Sequence, residues 1–460
     1  MAVQVSQLQK AVPDLSMLTG EDVAGRSATW GVFTPSAAKA ILRPRSAGEV
    51  SAILKLCHKA RQPVVAGGGI TGLVQGAIAG KDEYQLSLEL MNKVEEVDAL
   101  NRVAVVQAGT PLETVQKAAG EAGLDFPVDI GARGGATIGG MIATNAGGNH
   151  VVRYGMMRES VLGLEAVLAD GTVVSSMNRV LKNNAGYDLK QLFIGSEGTL
   201  GVVTRAVLRL RERPRGTSSA FVALPSFEHV IGLLKTVDST LSGTLTTFEL
   251  MWNNFYRLVT TPPAPGRPPL SQDHPFYALV EAGAANGADR EKLERVLMRC
   301  LDEGIVSDAV IAKSEAERGD FWALRDDVAQ VLQFGTLFAF DVSLPITEMD
   351  AYVKQVEDDL RARWPETQLV VFGHVGDGNI HIVAGVGSDD ADTRHQVEEI
   401  VYRPLAPIGG TVSAEHGIGL EKKPWLHLTR GPEEIELMRR LKNALDPHNI
   451  LNPGKIFDPA

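Results

Sequence analysis

The chain has 460 residues, of which 44% are hydrophobic and 22% charged, the composition of an ordinary globular protein with about two or three domains. Its 56 acidic and 45 basic residues give a net charge of −11, and such a surface repels phosphate backbones and argues against a nucleic-acid partner. The sequence contains no apolar run of about 18 residues, so we expect no membrane-spanning helix.

Two features predict the compartment. The first residues contain neither a basic stretch nor an apolar core, so no signal peptide is expected. The two cysteines, Cys57 and Cys300, cannot form a disulfide framework, which is typical of a reducing environment. We therefore expect a cytoplasmic protein, and a peripheral contact with the inner membrane stays open.

The first half of the chain alternates predicted strands and helices. Apolar runs of strand length occur at 40–44, 63–66, 84–90 and 103–108, with helical patterns at 46–61 and 111–120. Further strands are predicted at 161–168, 172–174 and 200–210, the first two joined by the turn Asp170-Gly171. The stretch 211–216 combines charges with Pro and Gly and marks a domain boundary.

The second half has longer helical patterns and short strands. Helices are predicted at 287–303, 348–362 and 390–404, and strands at 276–281, 369–373 and 380–384, with a proline-rich loop at 261–275. This mixture predicts an α+β domain with an antiparallel sheet. We expect a first domain at 1–212, a second at 213–412 and a C-terminal segment at 413–460.

Glycines are concentrated in three segments that suggest cofactor binding. Residues 67–72 follow an apolar strand, and glycine there lets backbone N–H groups surround phosphate oxygens. The three consecutive glycines do not match a dinucleotide-binding G-x-G-x-x-G motif, so we reject an NAD site. Residues 134–148 hold six glycines in 15 residues, a composition not expected inside a regular element, and 195–201 form the third segment. Three unrelated tight loops are the alternative explanation.

Histidines and a glutamate form a candidate metal site. His374 and His381 lie seven residues apart, and a turn at 376–378 would let the two imidazoles converge. Glu415 and His416 add a carboxylate and a third histidine. Two His and one Glu leave open positions on a divalent ion, the pattern of a catalytic Zn²⁺ or Mn²⁺. Hydrogen-bonded loop histidines are the alternative.

Together these segments resemble a known flavoprotein family. The sequence contains PVVAGGGITG, GGATIGGMIATNAGG, IGSEGTLGVVT, GHVGDGNIH, AEHGIG and LDPHNILNPGK in family order. It is similar to the vanillyl-alcohol oxidase and p-cresol methylhydroxylase superfamily, and within it to the D-lactate, glycolate and D-2-hydroxyglutarate dehydrogenase branch. The resemblance implies an α+β protein with a two-subdomain FAD-binding domain, an α+β cap domain, and a C-terminal segment that returns to the FAD domain.

The resemblance also implies roles for individual residues. It places a divalent metal on His374, His381 and Glu415, makes His416 the catalytic base, and makes Arg325 and Asn379 substrate-binding. The implied FAD-binding residues are Gly67, Gly68, Gly69, Ile70, Thr71, Gly72, Pro127, Gly134, Gly135, Thr137, Gly139, Gly140, Thr144, Asn145, Gly147, Gly148, Tyr154, Glu197, Gly198, Gly201, Val202 and Asn452. Neither 66–72 nor 131–148 contains the His or Cys that bonds the ring in covalently flavinylated relatives, so we expect non-covalent FAD.

Three positions bear on which hydroxy acid is oxidised. Where similar hydroxyglutarate enzymes carry Thr, Lys and Asn, this chain has Ala329, Ala339 and Val383. Apolar side chains there favour a small or apolar substrate side chain, so we expect D-lactate or a longer apolar D-2-hydroxy acid. The predicted strand 341–345 resembles the corresponding strand of the hydroxyglutarate enzymes. D-2-hydroxyglutarate is therefore the alternative substrate.

Two different functions are also compatible with these motifs. The protein could be a glycolate or 2-hydroxy-acid oxidase using O₂, or a non-catalytic FAD-binding subunit of a larger complex; the presence of the full set of site residues argues against the latter. We expect an electron acceptor such as a quinone or an electron-transfer flavoprotein. No segment indicates an oligomeric state, and a homodimer stays open.

Overall fold

A computed structural model describes residues 3–284 and 287–458 of the protein. These residues divide into two compact units. The first contains the chain up to Gly147, residues Gly155–Arg213 and the segment from Glu415 onward. The second contains Gly148–Tyr154 and Pro214–Ala414. The sequence did not indicate that the short segment Gly148–Tyr154, within a glycine-rich region, belongs to the second unit.

The first unit contains a four-stranded, a five-stranded and a two-stranded sheet among its described residues. Its strands are β1 (Ser16–Leu18), β2 (Ala40–Arg43), β3 (Val64–Gly67), β4 (Tyr84–Ser87), β5 (Val94–Asp98), β6 (Val103–Gln107), β7 (Leu124–Asp125), β8 (Val161–Val167), β9 (Val173–Ser176), β10 (Val202–Arg209) and β11 (Arg211–Glu212). The four-stranded sheet has the order β1-β2-β4-β3, in which β4 runs parallel to β2 and β3. The antiparallel five-stranded sheet has the order β5-β6-β10-β8-β9, and β7 pairs with β11.

The helices of the first unit cover these sheets. They are Val5–Ala11, Glu21–Ala24, Ala47–Ala60, Leu112–Glu121, Ile138–Thr144, Met157–Ser160, Lys190–Phe193 and Pro432–Leu445, with a 3₁₀ turn at Lys423–Leu428. The helix predicted at 46–61 is confirmed, because the Ser46 hydroxyl accepts a hydrogen bond from Glu49 N (3.2 Å) and caps Ala47–Ala60. Its apolar face packs in one core with both larger sheets.

One expectation is wrong, because the glycine-rich segment 134–148 contains the helix Ile138–Thr144. Glycine allows this helix to pack closely. A Cβ atom on Gly139 would lie 2.7 Å from Ala108 Cβ, and one on Gly140 would lie 3.3 Å from Thr137 Oγ1. Helix propensity disfavours glycine, but close backbone approach outweighs it here.

The second unit is built on one seven-stranded sheet. Its strands are β12 (Gly216–Leu224), β13 (Leu245–Trp252), β14 (Phe276–Ala284), β15 (Asp308–Ile311), β16 (Phe338–Ser343), β17 (Gln368–Gly373) and β18 (Asn379–Gly385). Their order is β15-β12-β14-β13-β17-β18-β16, and every neighbouring pair is antiparallel. The predicted α+β class with an antiparallel sheet is confirmed.

Helices flank this sheet. They are Val151–Tyr154, Phe227–Leu241, Asn253–Thr260, Gly287–Asp302, Glu315–Asp326, Met349–Arg363 and Ala391–Tyr402, with 3₁₀ turns at Val328–Phe334, Ile346–Glu348, Val375–Asp377 and Arg403–Ile408. On one face, Asn253–Thr260 and Glu315–Asp326 form an apolar cluster with alternate residues of the strands, among them Met251, Phe372 and Val383. None of the helices in the described ranges is both long and apolar enough to cross a membrane.

Candidate active site

The glycine segments of the first unit meet backbone to backbone. A Cβ atom on Gly69 would lie 1.7 Å from the carbonyl oxygen of Gly135, and one on Gly68 would lie 2.7 Å from Thr137 Oγ1. Real Cβ atoms do not approach so closely, so only glycine fits at these two positions. The two loops therefore form one surface of closely packed backbone without side chains at Gly68, Gly69 and Gly135, which suits a cofactor that carries phosphates.

A buried hydroxyl marks the same surface. Thr137 is 8% exposed, and its Oγ1 atom has no hydrogen-bond partner among the described residues. Buried polar groups in folded proteins are nearly always paired, so a hydroxyl left unpaired beside Gly68 is suited to an oxygen of a bound cofactor. These residues fit the FAD that the sequence implies.

Glu197 connects this unit to the C-terminal segment. It has a left-handed backbone (φ 50°) and is 9% exposed. Its carboxylate accepts hydrogen bonds from Ile418 N (2.7 Å) and Gly419 N (2.8 Å). Burial raises the pKa of the Glu197 carboxyl, while these backbone donors and Lys422 oppose the rise. Glu197 thus fixes the loop that follows His416.

Asn452 makes a second connection. Its Oδ1 accepts a hydrogen bond from Ala66 N (2.7 Å), and its Nδ2 donates to the carbonyl of Glu197 (2.6 Å). Its positive φ of 43° is a conformation that asparagine tolerates better than most residues. Glu415 in turn packs on the glycine cluster, where a Cβ on Gly147 would lie 2.9 Å from Glu415 Oε1. The C-terminal segment therefore contacts two of the glycine segments.

The remaining predicted FAD residues divide between the units. Those in the first unit are Gly67, Ile70, Thr71, Gly72, Pro127, Gly134, Gly139, Gly140, Thr144, Asn145, Gly198, Gly201 and Val202. Gly148 and Tyr154 lie in the second. Some contacts are structural, since Asn145 Oδ1 accepts from Arg158 N (2.9 Å) and a Cβ on Gly201 would meet the Phe193 ring at 2.7 Å. Individual FAD contacts stay predictions.

In the second unit, polar side chains lie on one sheet face. The strand register aligns Asp341 with His381, His381 with Phe372, and Phe372 with Met251. Because side chains alternate along a strand, Glu249 lies on the same face as Met251. This face carries a cluster of titratable groups next to the apolar residues that pack under the helix Glu315–Asp326.

Glu249 joins two predicted site residues. The carboxylate is 1% exposed and lies 2.7 Å from Arg325 Nε through Oε2 and 2.5 Å from His374 Nδ1 through Oε1. Burial alone would raise the pKa of Glu249, but the attraction of His374 and Arg325 outweighs it and lowers the pKa to about 2. Glu249 is therefore ionised and acts only as an acceptor.

The two histidines approach each other at the hairpin between β17 and β18. Their ring centroids are 5.3 Å apart and nearly perpendicular. His381 Nδ1 lies 3.8 Å from Asp341 Oδ1, too long for a hydrogen bond. His374 Nδ1, by contrast, is hydrogen-bonded to Glu249, the arrangement seen behind metal-ligating histidines. The donor chemistry of the two imidazoles fits a divalent cation.

Asn379, predicted to bind substrate, contacts Asp341. Its Nδ2 donates to Asp341 Oδ1 and to the Val342 carbonyl, both at 2.9 Å. Its Oδ1 is buried and accepts no hydrogen bond from the described residues. The amide nitrogen therefore holds Asp341 beside His381, and substrate binding by Asn379 stays a prediction.

The predicted metal set is not assembled within one unit. His374 and His381 belong to the second unit, whereas Glu415 and His416 belong to the first. Within residues 3–284 and 287–458, no three His, Cys, Asp or Glu side chains converge closely enough to hold a metal ion. The metal site therefore stays a prediction, supported by the two histidines.

Sequence reasoning missed Glu249, although a signal was present. Glu249 stands in the run LTTFELMW and Glu281 in FYALVEAGA, and an acidic residue inside an apolar strand is rarely buried without a partner. That pattern predicts a paired, buried carboxylate. Its partners could not be identified without the fold, since Arg325 and His374 lie far along the chain.

Comparisons with known proteins identify the family. Residues 38–176 match the model of the FAD binding domain, and residues 213–456 match the model of the C-terminal domain of FAD linked oxidases. The first match supports FAD as the cofactor. Similar folds include p-cresol methylhydroxylase, with a TM-score of 0.78 and 15% identity over 99% of this chain and 96% of that one. Alkyldihydroxyacetonephosphate synthase has a TM-score of 0.76 and 17% identity over 98% of this chain and 86% of that one.

Several proteins have a much higher sequence identity to this chain than these solved structures have. A D-2-hydroxyglutarate dehydrogenase of Xanthomonas citri pv. viticola is 40% identical over 99% of this chain and 97% of its own length. The mitochondrial D-2-hydroxyglutarate dehydrogenase of Bos taurus is 40% identical over 98% of this chain and 83% of its own length. A provisionally named mitochondrial D-lactate dehydrogenase of Schizosaccharomyces pombe is 39% identical over 90% of this chain and 81% of its own length. The chain therefore belongs to the FAD-linked D-2-hydroxy-acid dehydrogenases.

Proposed function

We propose that the protein is an FAD- and metal-dependent dehydrogenase that oxidises a D-2-hydroxy acid with a small or apolar side chain, such as D-lactate, to the 2-keto acid. The observation that carries this proposal is the cluster of Arg325, His374 and His381 beside apolar residues on one sheet face of the second unit.

Each residue has a distinct task in this proposal. Arg325 binds the substrate carboxylate, since a guanidinium keeps its charge at every working pH and offers paired donors. His374 and His381 bind a Zn²⁺ or Mn²⁺ ion, with Glu415 as third ligand by the family resemblance. His416 accepts the hydroxyl proton, a task suited to a neutral imidazole near neutral pH.

The cofactors supply what side chains cannot. FAD held by the glycine loops would supply the hydride acceptor, the flavin N5, and a divalent cation held by His374 and His381 would lower the pKa of the substrate hydroxyl. We propose that FAD is dissociable, because the loops 66–72 and 131–148 contain neither His nor Cys. Denaturing the yellow protein should therefore release the flavin from the polypeptide.

The preference for a small or apolar substrate side chain rests on the sheet register. Ala339 pairs with Val383, and the next pair on the same face is Asp341 with His381. Val383 is buried in the apolar cluster that also contains Val331. A polar far end of the substrate would find neither the cation nor the amide that the hydroxyglutarate enzymes carry at Ala339 and Val383.

D-2-hydroxyglutarate is the second candidate. The Xanthomonas and Bos relatives, both 40% identical, are named for that substrate. By the family resemblance, the segment 341–345 has the form found in hydroxyglutarate enzymes. The two candidates differ in the charge at the far end of the substrate, so a direct comparison of the acids distinguishes them.

The experiment is an anaerobic titration of the purified holoenzyme. The visible flavin band is followed while D-lactate, D-2-hydroxyglutarate and their L-forms are added. We expect bleaching by the D-forms only, at lower concentrations of D-lactate. Stronger bleaching by D-2-hydroxyglutarate would establish the second candidate, and no bleaching by any of the acids would refute the proposed reaction.

Acceptor, assembly and location are further proposals. We propose a quinone or an electron-transfer flavoprotein as the electron acceptor, and rapid reoxidation by O₂ in a stopped-flow experiment would instead indicate an oxidase. A homodimer stays a proposal that light scattering tests. Cys57 and Cys300 are both buried free thiols, which agrees with the proposed cytoplasmic location.

A further inference from the structure

The carboxylate of Glu249 contacts both Arg325 and His374, for which different roles are proposed. Glu249 accepts from Arg325 Nε on one oxygen and lies 2.5 Å from His374 Nδ1 on the other. Arg325 comes from the helix Glu315–Asp326, and His374 follows β17. Because the Glu249 carboxylate is paired with Arg325 and accepts hydrogen bonds, the 2.5 Å contact is one that His374 donates through Nδ1. Nε2 is then the ring nitrogen that faces away from Glu249.

We propose that Glu249 is a positioning residue that couples the two recognition groups of the site. It holds His374 in the Nδ1–H tautomer, so that Nε2 is the ligating nitrogen for a divalent cation. It also fixes Arg325 through Nε, so that the two terminal nitrogens of the guanidinium remain for a carboxylate. The inference rests on the proposed roles of His374 and Arg325.

A purely structural role is already filled by another residue. Glu281 on β14 is also 1% exposed, and it accepts from Arg318 Nε (2.6 Å), Arg318 Nη2 (2.9 Å) and Trp322 Nε1 (2.9 Å). These three bonds attach the helix Glu315–Asp326 to the sheet at Arg318, about two turns before Arg325, and at Trp322, about one turn before it. The helix therefore does not depend on Glu249 alone for its position.

Phe372 keeps the coupled groups in place. The Arg325 guanidinium carbon lies 5.0 Å from the centroid of the Phe372 ring, and the His381 ring centroid lies 5.1 Å from it. A cation over an aromatic face is attracted to it, and the same ring also lies next to His381. Glu249 is thus the direct polar link between the arginine and the histidine pair.

The substitution Glu249→Gln tests the inference with almost no change of shape. The amide oxygen can still accept from Arg325 Nε, but the amide NH₂ would face His374 Nδ1 as a donor. We therefore expect His374 to adopt the opposite tautomer, which long-range ¹H–¹⁵N NMR of ¹⁵N-histidine-labelled protein detects. We expect Zn²⁺ and Co²⁺ affinity, measured by equilibrium dialysis, to fall about 10–100-fold, while bound FAD stays unchanged.

The matched control is Glu281→Gln, which removes an equally buried charge from the same face. It should keep the His374 tautomer and the metal affinity of the wild type. If Glu249→Gln kept both as well, the inference would be overturned. A wild type that binds no metal and reduces no flavin would refute the proposed function, whereas the tautomer of the two variants would still decide the role of Glu249.

Glu249→Asp provides a second variant if the glutamine protein does not fold. The aspartate keeps the charge but is one methylene shorter, so it cannot reach Arg325 and His374 together at hydrogen-bond distance. We expect a higher KM for the hydroxy acid and at least about tenfold weaker metal binding. Wild-type values of both quantities would contradict the coupling.

Discussion

The contact between Gly69 and Gly135 leads to a quantitative prediction for Gly69→Ala. The added Cβ atom would lie 1.7 Å from the Gly135 carbonyl oxygen and 2.7 Å from its carbonyl carbon. Because a tolerable separation is about 3.0 Å, the two loops must move apart by about 1.3 Å. Both atoms belong to the backbone, so rotation of a side chain cannot relieve the overlap.

The free-energy cost of this overlap can be estimated from substitutions that insert an extra carbon into a packed site. Forcing one extra carbon into a packed site costs about 1–3 kcal/mol, and we expect the upper part of this range, about 2–3 kcal/mol. The free protein can separate the loops, but FAD binding has to bring them back together. The same energy then appears in the affinity, so the Kd for FAD should rise about 30–150-fold.

The measurement is titration of apoprotein with FAD, followed by flavin fluorescence. Gly131→Ala is the matched control. Gly131 lies just before the glycine segment that faces Gly69, and a Cβ atom added there would have no neighbouring atom within 4 Å. The control should bind FAD as the wild type does and unfold at the same temperature. A Gly69→Ala protein with wild-type Kd and Tm would show that the two loops do not meet as described.

Three further outcomes are expected. Asn452→Ala removes the hydrogen-bond partner of the half-buried Ala66 N–H and of the buried Glu197 carbonyl, so the free energy of unfolding should fall by about 2–5 kcal/mol. An unchanged denaturation midpoint would contradict this. The double variant Ala339→Lys with Val383→Asn should raise the kcat/KM ratio of D-2-hydroxyglutarate to D-lactate at least about tenfold, and an unchanged ratio would show that this face does not contact the substrate side chain. Chelation of divalent metal, and likewise His381→Ala, should abolish flavin reduction while FAD stays bound; full activity after either treatment would refute the metal proposal.

Local patterns predicted much of the fold. The helix Ala47–Ala60 follows from its capping serine and apolar period, and β17 and β18 follow from short apolar runs. Other elements were not predicted, among them β12 and the helix Phe227–Leu241, and two further ones show why. The helix Ile138–Thr144 was missed because its glycines oppose helix formation locally and are required by packing against β6 and Gly68. The strand β13 was missed because the glutamate within it obscures an otherwise apolar run.

The candidate site was predictable where chemistry and spacing coincide. His374 and His381 approach each other because a hairpin joins their strands, and the glycine segments meet because only glycine permits that approach. The link from Glu249 to Arg325 spans 76 residues and the link to His374 spans 125. No local pattern encodes contacts of such separation. The pairing of β13 with β17 brings Glu249 to His374, and the packing of the helix Glu315–Asp326 on the sheet brings Arg325 to Glu249.

The partners of Glu249 and Glu281 explain how this sheet accommodates two buried carboxylates. Each would destabilise an apolar face if left alone, since burying a charge without a partner costs several kcal/mol. Glu281 is satisfied entirely by the helix Glu315–Asp326, so its effect is to fix that helix on the sheet. Glu249 divides its two oxygens between that helix and His374. A shift of the helix would therefore displace the imidazole as well, which makes the positions of Arg325 and His374 interdependent.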